Sequence, residues 1–160
     1  MNLSPHFPLA ELLRSATAFA RGIDNTPPAE AIGNLVVLAQ TALEPLRTLW
    51  GCPIKTTSGF RCLEVNTAVG GAKGSAHLDG RAADLIPSGL SLDKAYEMAA
   101  ESPIPYDQLI IEQTSGGVCW IHVAIARAGE VPRRQALSAK GVKGKMKYNQ
   151  GRITQRVAPG

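Results

Sequence analysis

The run Arg81-Ala82-Ala83-Asp84-Leu85-Ile86 puts a carboxylate inside what otherwise reads as a short buried strand. An ionised side chain there is costly unless something pairs or coordinates it. Two arrangements satisfy it: Arg81 with backbone N–H groups, or a bound cation. Histidines flank the strand in sequence, His77 within Ser75-Ala76-His77-Leu78-Asp79-Gly80 and His122 within Trp120-Ile121-His122, and the first arrangement leaves them unexplained. Two imidazoles and one carboxylate are the ligand set of a zinc ion whose fourth position stays open to water. Gly80 allows a tight turn or a close backbone approach. It also interrupts any helix between His77 and Asp84, so the ligands are expected on a loop and on the strand that follows it.

The rest of the chain supplies helices and strands around this run. Residues 9–20 are apolar enough for a short helix, and Thr26-Pro27 reads as an N-cap followed by proline in the first turn. Leu35, Leu38, Ala42, Leu46 and Leu49 then recur at spacings of three and four, an amphipathic helix that Pro45 should kink. Residues 54–57 read as a strand, 63–69 as a short helix closed by Gly70-Gly71, and Ser91 as the cap of a helix reaching about residue 101. Residues 106–112 and 118–126 form a predicted hairpin, with Trp120, His122 and Ala124 on one face. The expected fold class is α+β: a small, mainly antiparallel sheet covered by helices.

With 160 residues, 44% hydrophobic and 19% charged, the chain suits one globular domain. No stretch approaches the roughly 18 apolar residues of a membrane span. The N-terminus lacks a basic segment followed by an apolar one, so synthesis in a cytoplasm without a signal peptide is expected. Cys52, Cys62 and Cys119 make an odd set without C-x-x-C spacing, which argues for free thiols. Charge is uneven: residues 127–160 hold nine lysines and arginines against Glu130 alone. That composition sets an expected boundary, with a domain over residues 1–126 and a flexible or loosely docked basic extension over 127–160. Such an extension would contact anionic polymers of a cell envelope, or only confer solubility. With Tyr148 as its one aromatic residue, it lacks the features of a specific nucleic-acid module.

The run from Ser75 to Asp84 matches the S-x-H-x-x-G-x-A-x-D signature of the M15 zinc peptidases, the D-Ala-D-Ala carboxypeptidases and related peptidoglycan peptidases, and Trp120-Ile121-His122 matches their W-x-H element. Ser58-Gly59-Phe60-Arg61-Cys62, Asn66, Val69-Gly70-Gly71, Tyr106-Asp107-Gln108-Leu109-Ile110 and Gly22-Ile23-Asp24-Asn25-Thr26-Pro27-Pro28 extend the resemblance to the phage and prophage branch over about residues 3–126. The resemblance implies a fold like that of hedgehog and D,D-peptidase domains, with one zinc ion held by His77, Asp84 and His122. It implies peptidoglycan as partner and substrate, cut in its stem peptides or cross-links by an endopeptidase or a D,D-carboxypeptidase. Such an enzyme would act on the wall after release or as a virion component, as a monomer or virion-attached.

Further roles follow from the same likeness. Arg61 would bind a substrate carboxylate or the tetrahedral intermediate, unless it is a surface residue or pairs with Glu64. Ser75 would contact substrate or orient its loop, and Trp120 would line the substrate site. Relatives carry an acidic base three residues before the second histidine, or a histidine five before it; here those positions are Cys119 and Gly117. Glu112 is the expected substitute, with Asp107 and Asp79 as further candidates. If Gln113 to Gly117 form a five-residue loop, Glu112 lies opposite Val118 on the face of Trp120 and His122; an even loop turns it away. The missing acid at position 119 favours another reading, a noncatalytic metal-binding module of a virion or of wall recognition.

Overall fold

The computed structural model describes residues 1–142 and 145–150. A two-strand ribbon, β1 (Asn2–Ser4) and β2 (Phe7–Pro8), precedes α1 (Leu9–Leu13), α2 (Ala16–Arg21) and α3 (Ala29–Leu38). A π turn at Ala39–Leu43 leads into α4 (Glu44–Trp50), followed by β3 (Ile54–Ser58), α5 (Leu63–Ala68), a 3-10 turn at Ala76–Asp79 and β4 (Ala82–Pro87). Then come α6 (Leu92–Glu101), β5 (Gln108–Thr114), β6 (Cys119–Ala124), β7 (Gln135–Val142) and β8 (Lys145–Gln150). The main sheet has six strands in the order β3-β4-β6-β5-β7-β8, antiparallel except where β7 lies parallel to β5. This is the expected α+β class, with a mainly antiparallel sheet.

Strand side chains alternate between faces, and here the two faces have separate tasks. Ala83, Leu85, Leu109, Ile111, Ile121 and Val123 point to the helices and join Leu35, Leu38, Leu46 and Tyr96 in the main core. Asp84, His122, Ile110 and Glu112 belong to the opposite face. The helices therefore cover one side and leave the other open as a cleft.

Several boundaries differ from the sequence reading for tertiary reasons. The helix expected over residues 9–20 breaks after Leu13; Ser15 caps α2 by accepting from Ala18 N at 3.1 Å. The break frees α1 carbonyls for the loop after β3, with Phe60 N donating to Leu12 O at 2.8 Å and Asn25 Nδ2 to Leu13 O at 3.1 Å. α3 starts at Ala29 behind Pro28, while Thr26 is held by Asp24 in a turn. The distortion expected at Pro45 appears upstream as the π turn. Proline offers no N–H to the carbonyl four residues back, and a wider turn relieves its ring's clash with that carbonyl.

Of the region expected as a flexible or loosely docked extension, residues 135–142 and 145–150 are strands of the sheet. β7 pairs with β5 from Gln108↔Gln135 to Thr114↔Gly141, and β8 pairs with β7 from Leu137↔Gln150 to Val142↔Lys145. Two of its cations are clamps: Arg133 holds the Asp107 carboxylate at 2.8 Å, and Arg134 donates to Ile104 O and Ser102 O at 2.7 Å while lying over the Tyr106 ring. Residues 143–144 and 151–160 of the extension lie outside the described residues. No helix among the described residues is long and apolar enough to cross a membrane.

Two left-handed glycines differ in what surrounds them. Gly80 has φ +73°, and a Cβ there would collide with Ala31 O and press on Leu35. Gly51 has φ +64° with open space around it. Gly51→Ala is expected to cost only the strain of a left-handed residue, about 1–2 kcal/mol. Gly80→Ala adds the backbone collision and should cost clearly more. Urea unfolding of both variants checks this, and equal losses would contradict the packing described for Gly80.

Candidate metal centre and cleft

Each member of the buried cluster comes from a different element. His77 sits in the 3-10 turn that Ser75 caps, its Oγ accepting from His77 N at 3.3 Å. Asp84 is on β4, and the register Asp84↔His122 puts the second imidazole beside it on β6. The β3 side reaches the site through Gly59, whose carbonyl lies 2.6 Å from His77 Nδ1. That contact assigns the ring proton to Nδ1 and leaves Nε2 as a lone-pair donor. Gly59 itself is required, because a Cβ at this position would collide with Leu12 backbone.

Asp84 Oδ1 lies 3.3 Å from His77 Nε2 and 3.1 Å from His122 Nδ1, and the imidazole centroids are 5.1 Å apart. One ligand atom from each of the three residues falls within 4.8 Å of the others, and all three side chains are buried. Ligands about 2.0–2.2 Å from a shared tetrahedral ion stand roughly 3.3–3.6 Å apart. The donor types and spacing therefore fit a single divalent ion. The other carboxylate oxygen, Oδ2, accepts from Arg61 Nη2 at 3.0 Å, while Arg61 Nε donates to Ser58 Oγ at 2.9 Å.

Burial would raise the Asp84 carboxyl, but the charge and hydrogen bonds of His77 and His122 outweigh it and hold the group well below the ordinary carboxylate range. Burial pushes His77 below its ordinary value against the pull of Asp84. An ionised Asp84 and a neutral His77 are the forms that ligate a cation. Glu112 behaves oppositely. Burial pushes its carboxyl up to about 7 and the Asp84 charge adds to this, while His122, Arg61 and the Trp120 indole pull it down. The Trp120 indole N–H is buried and has no hydrogen-bond partner among the described residues.

The register of the β5–β6 hairpin decides where Glu112 points. Glu112 lies opposite Trp120 rather than Val118, because pairing continues through Gln113↔Cys119 and Thr114 N bonds Val118 O at 2.9 Å. The shift is two residues, so the parity is that of the expected odd loop and Glu112 shares the face of Trp120 and His122. The other carboxylates considered as bases are engaged elsewhere. Asp107 accepts from Arg133 through both oxygens, and Asp79 accepts from Arg81 at 3.0 Å. Arg81 thus serves Asp79 and Ile125 O, not Asp84. Arg61 meets Asp84 rather than Glu64. Cys52, Cys62 and Cys119 are free thiols.

The buried cluster and Glu112 open onto one cleft of about 1010 Å³. Arg61, Ser75, His77, Asp84, Glu112, Trp120 and His122 all border it. So do Leu137, Met146 and Tyr148, which the sequence reading left in an extension. Their signal was present as period-2 alternation in Leu137-Ser138-Ala139 and Met146-Lys147-Tyr148, hidden among lysines. The Asn25 side chain donates to Leu13 O and Phe60 O and accepts from Cys62 N, and so fixes the loop that carries Arg61.

A buried cluster of two imidazoles and a carboxylate, with a second carboxyl raised by burial on the same face of the sheet, is an arrangement suited to a metal-dependent hydrolase. Residues 5–124 match the family model described as Peptidase M15, and the chain belongs to that family of metallopeptidases. Among curated proteins none matches the chain.

Without metal, the folded chain keeps the Glu112 proton up to about pH 7, whereas an unfolded chain releases it near 4.5. The stability contributed by this group is therefore full below about pH 4.5 and is lost as pH rises through 7. After chelator treatment, Glu112→Gln should melt together with the parent near pH 4 and at a higher temperature than the parent near pH 8. Identical melting at both values would mean that Glu112 sits in water.

Proposed function

We propose that the chain is a zinc-dependent peptidase that hydrolyses peptide bonds in peptidoglycan stem peptides or their cross-links, as an endopeptidase or a D,D-carboxypeptidase. The observation that carries this reading is the Glu112 carboxyl, raised to about 7 and facing the same cleft as the His77, Asp84 and His122 donors. Two imidazoles with one carboxylate suit zinc, and no thiolate is among them. The substrate class draws on the family resemblance and on the charge of the cleft edge. Lys73, Arg127 and Lys145 border it, suited to stem peptides that carry several carboxylates. One chain carries the whole donor set, so a monomer or a virion-attached copy suffices. The enzyme would meet the wall after release or as a virion part, and its basic surface would add contact with anionic envelope polymers.

When bound by His77, Asp84 and His122, a zinc ion supplies Lewis-acid polarisation of a carbonyl and acidifies water. Glu112 takes a proton from the attacking water and passes it to the leaving amine, a task suited to a group with a pKa near the working pH. Arg61 holds Asp84 Oδ2, keeps Oδ1 turned to the histidines, and brings a permanent positive charge to the side where the oxyanion develops. Ser75 orients the turn carrying His77, and Trp120 walls the cleft beside Glu112.

The direct test is digestion of purified peptidoglycan with and without a chelator, with released fragments identified by mass. Fragments that appear only with metal, cut at one kind of peptide bond, are the expected result. Retention on the wall without fragments would overturn this reading in favour of a noncatalytic wall-binding module. Glu112→Ala should lower turnover by about a hundredfold or more while zinc content stays near one per chain. His122→Ala should lose both zinc and turnover, and retained zinc would mean that the donor set is wrong.

A further inference from the structure

The hairpin formed by β7 and β8 lies beyond the matched segment, which ends at residue 124, yet it builds one side of the cleft. Its register aligns it with the reacting groups. Trp120 pairs with Glu112, Glu112 with Ala139, and Ala139 with Tyr148, so these four make one row across four adjacent strands. Asp84, His122, Ile110 and Leu137 make a second row two residues away, hence on the same face.

Ala139, fully buried and carrying only a methyl group, separates Glu112 from Tyr148 in this row, and the half-exposed Tyr148 side chain lines the cleft together with Glu112. Burial and the charges of Glu112 and Asp84 raise the Tyr148 phenol above its ordinary value. A phenol hydroxyl donates a hydrogen bond at neutral pH. Next to it, Ile110, Leu137, Ala139 and Met146 form an apolar cluster separate from the main core. A cleft floor that joins an apolar surface to one directed hydroxyl suits a peptide with an aliphatic side chain and an adjoining carbonyl.

We infer that the β7–β8 hairpin is a substrate-binding wall: its apolar floor takes an aliphatic side chain next to the scissile bond, and the Tyr148 hydroxyl donates a hydrogen bond to the substrate carbonyl beside Glu112. This rests on the peptidase reading of the same cleft. It makes Tyr148 a catalytic residue of a part of the chain that the family match does not reach.

The test compares the full-length parent, Tyr148→Phe and Met146→Ala on a soluble stem pentapeptide ending in D-Ala-D-Ala and on purified peptidoglycan. Calorimetric binding of the pentapeptide to chelator-stripped protein is measured in parallel. Tyr148→Phe should lower kcat/KM by about tenfold or more and weaken pentapeptide binding several-fold, with zinc content and melting temperature unchanged. Met146→Ala should raise KM more than it lowers kcat. Parent-like kinetics and binding in Tyr148→Phe would overturn the inference and leave the peptidase reading intact. A parent that neither cuts nor binds these substrates would overturn the proposed function, and the inference with it. Should the parent bind the pentapeptide without cutting it, the calorimetric comparison decides alone.

Discussion

The buried negative charge of Asp84 is what the rest of the structure is arranged to satisfy. It stands on β4, within the sheet, where an unpaired carboxylate would not survive folding. Its partners arrive from three other places: His77 from the 3-10 turn, His122 from β6 and Arg61 from the loop after β3. Each arrival depends on a backbone condition. Gly80 lets the turn pack on α3, Gly59 lets the loop pack on α1 while its carbonyl orients His77, and the antiparallel register sets His122 opposite Asp84. Removing one partner of such a cluster leaves a buried charge uncompensated, at a cost of about 3–5 kcal/mol. The site and the tertiary structure are therefore one object.

Division of labour between the two faces of the sheet follows from this. The helical side carries the main apolar core and holds the strands rigid. The open side carries the ionisable groups, and its environment separates two carboxyls by function. Asp84 among the imidazoles stays ionised, whereas Glu112, more buried than it is paired, holds its proton to about 7. Two carboxyl groups with pKa values driven apart by their surroundings form a recurring pattern of acid–base sites. The first is suited to ligate a cation and the second to carry a proton.

Much of this was legible in the sequence, for identifiable reasons. The donor set could be read because a charged residue in an apolar strand demands partners, and because two histidines flank it. The side on which Glu112 falls hung on loop parity, which the sequence left open; the pairing Glu112↔Trp120 gives the odd alternative, two residues away from the register considered for it. The break between α1 and α2 was not legible, since it serves bonds from Phe60 and Asn25 that lie far away in sequence. β7 and β8 were missed because charge density was read as mobility, although Arg133 and Arg134 are structural clamps and the intervening apolar residues alternate. The engagement of Arg61 with Asp84, rather than with Glu64 or solvent, also needed the folded chain.

X-ray absorption at the zinc edge of the loaded protein tests the central claim most directly. Convergence of His77, Asp84 and His122 on one ion predicts one zinc per chain, with only nitrogen and oxygen neighbours at about 2.0–2.2 Å and the multiple-scattering signature of two imidazoles. A sulfur neighbour near 2.3 Å, a single imidazole, or failure to take up zinc would contradict it.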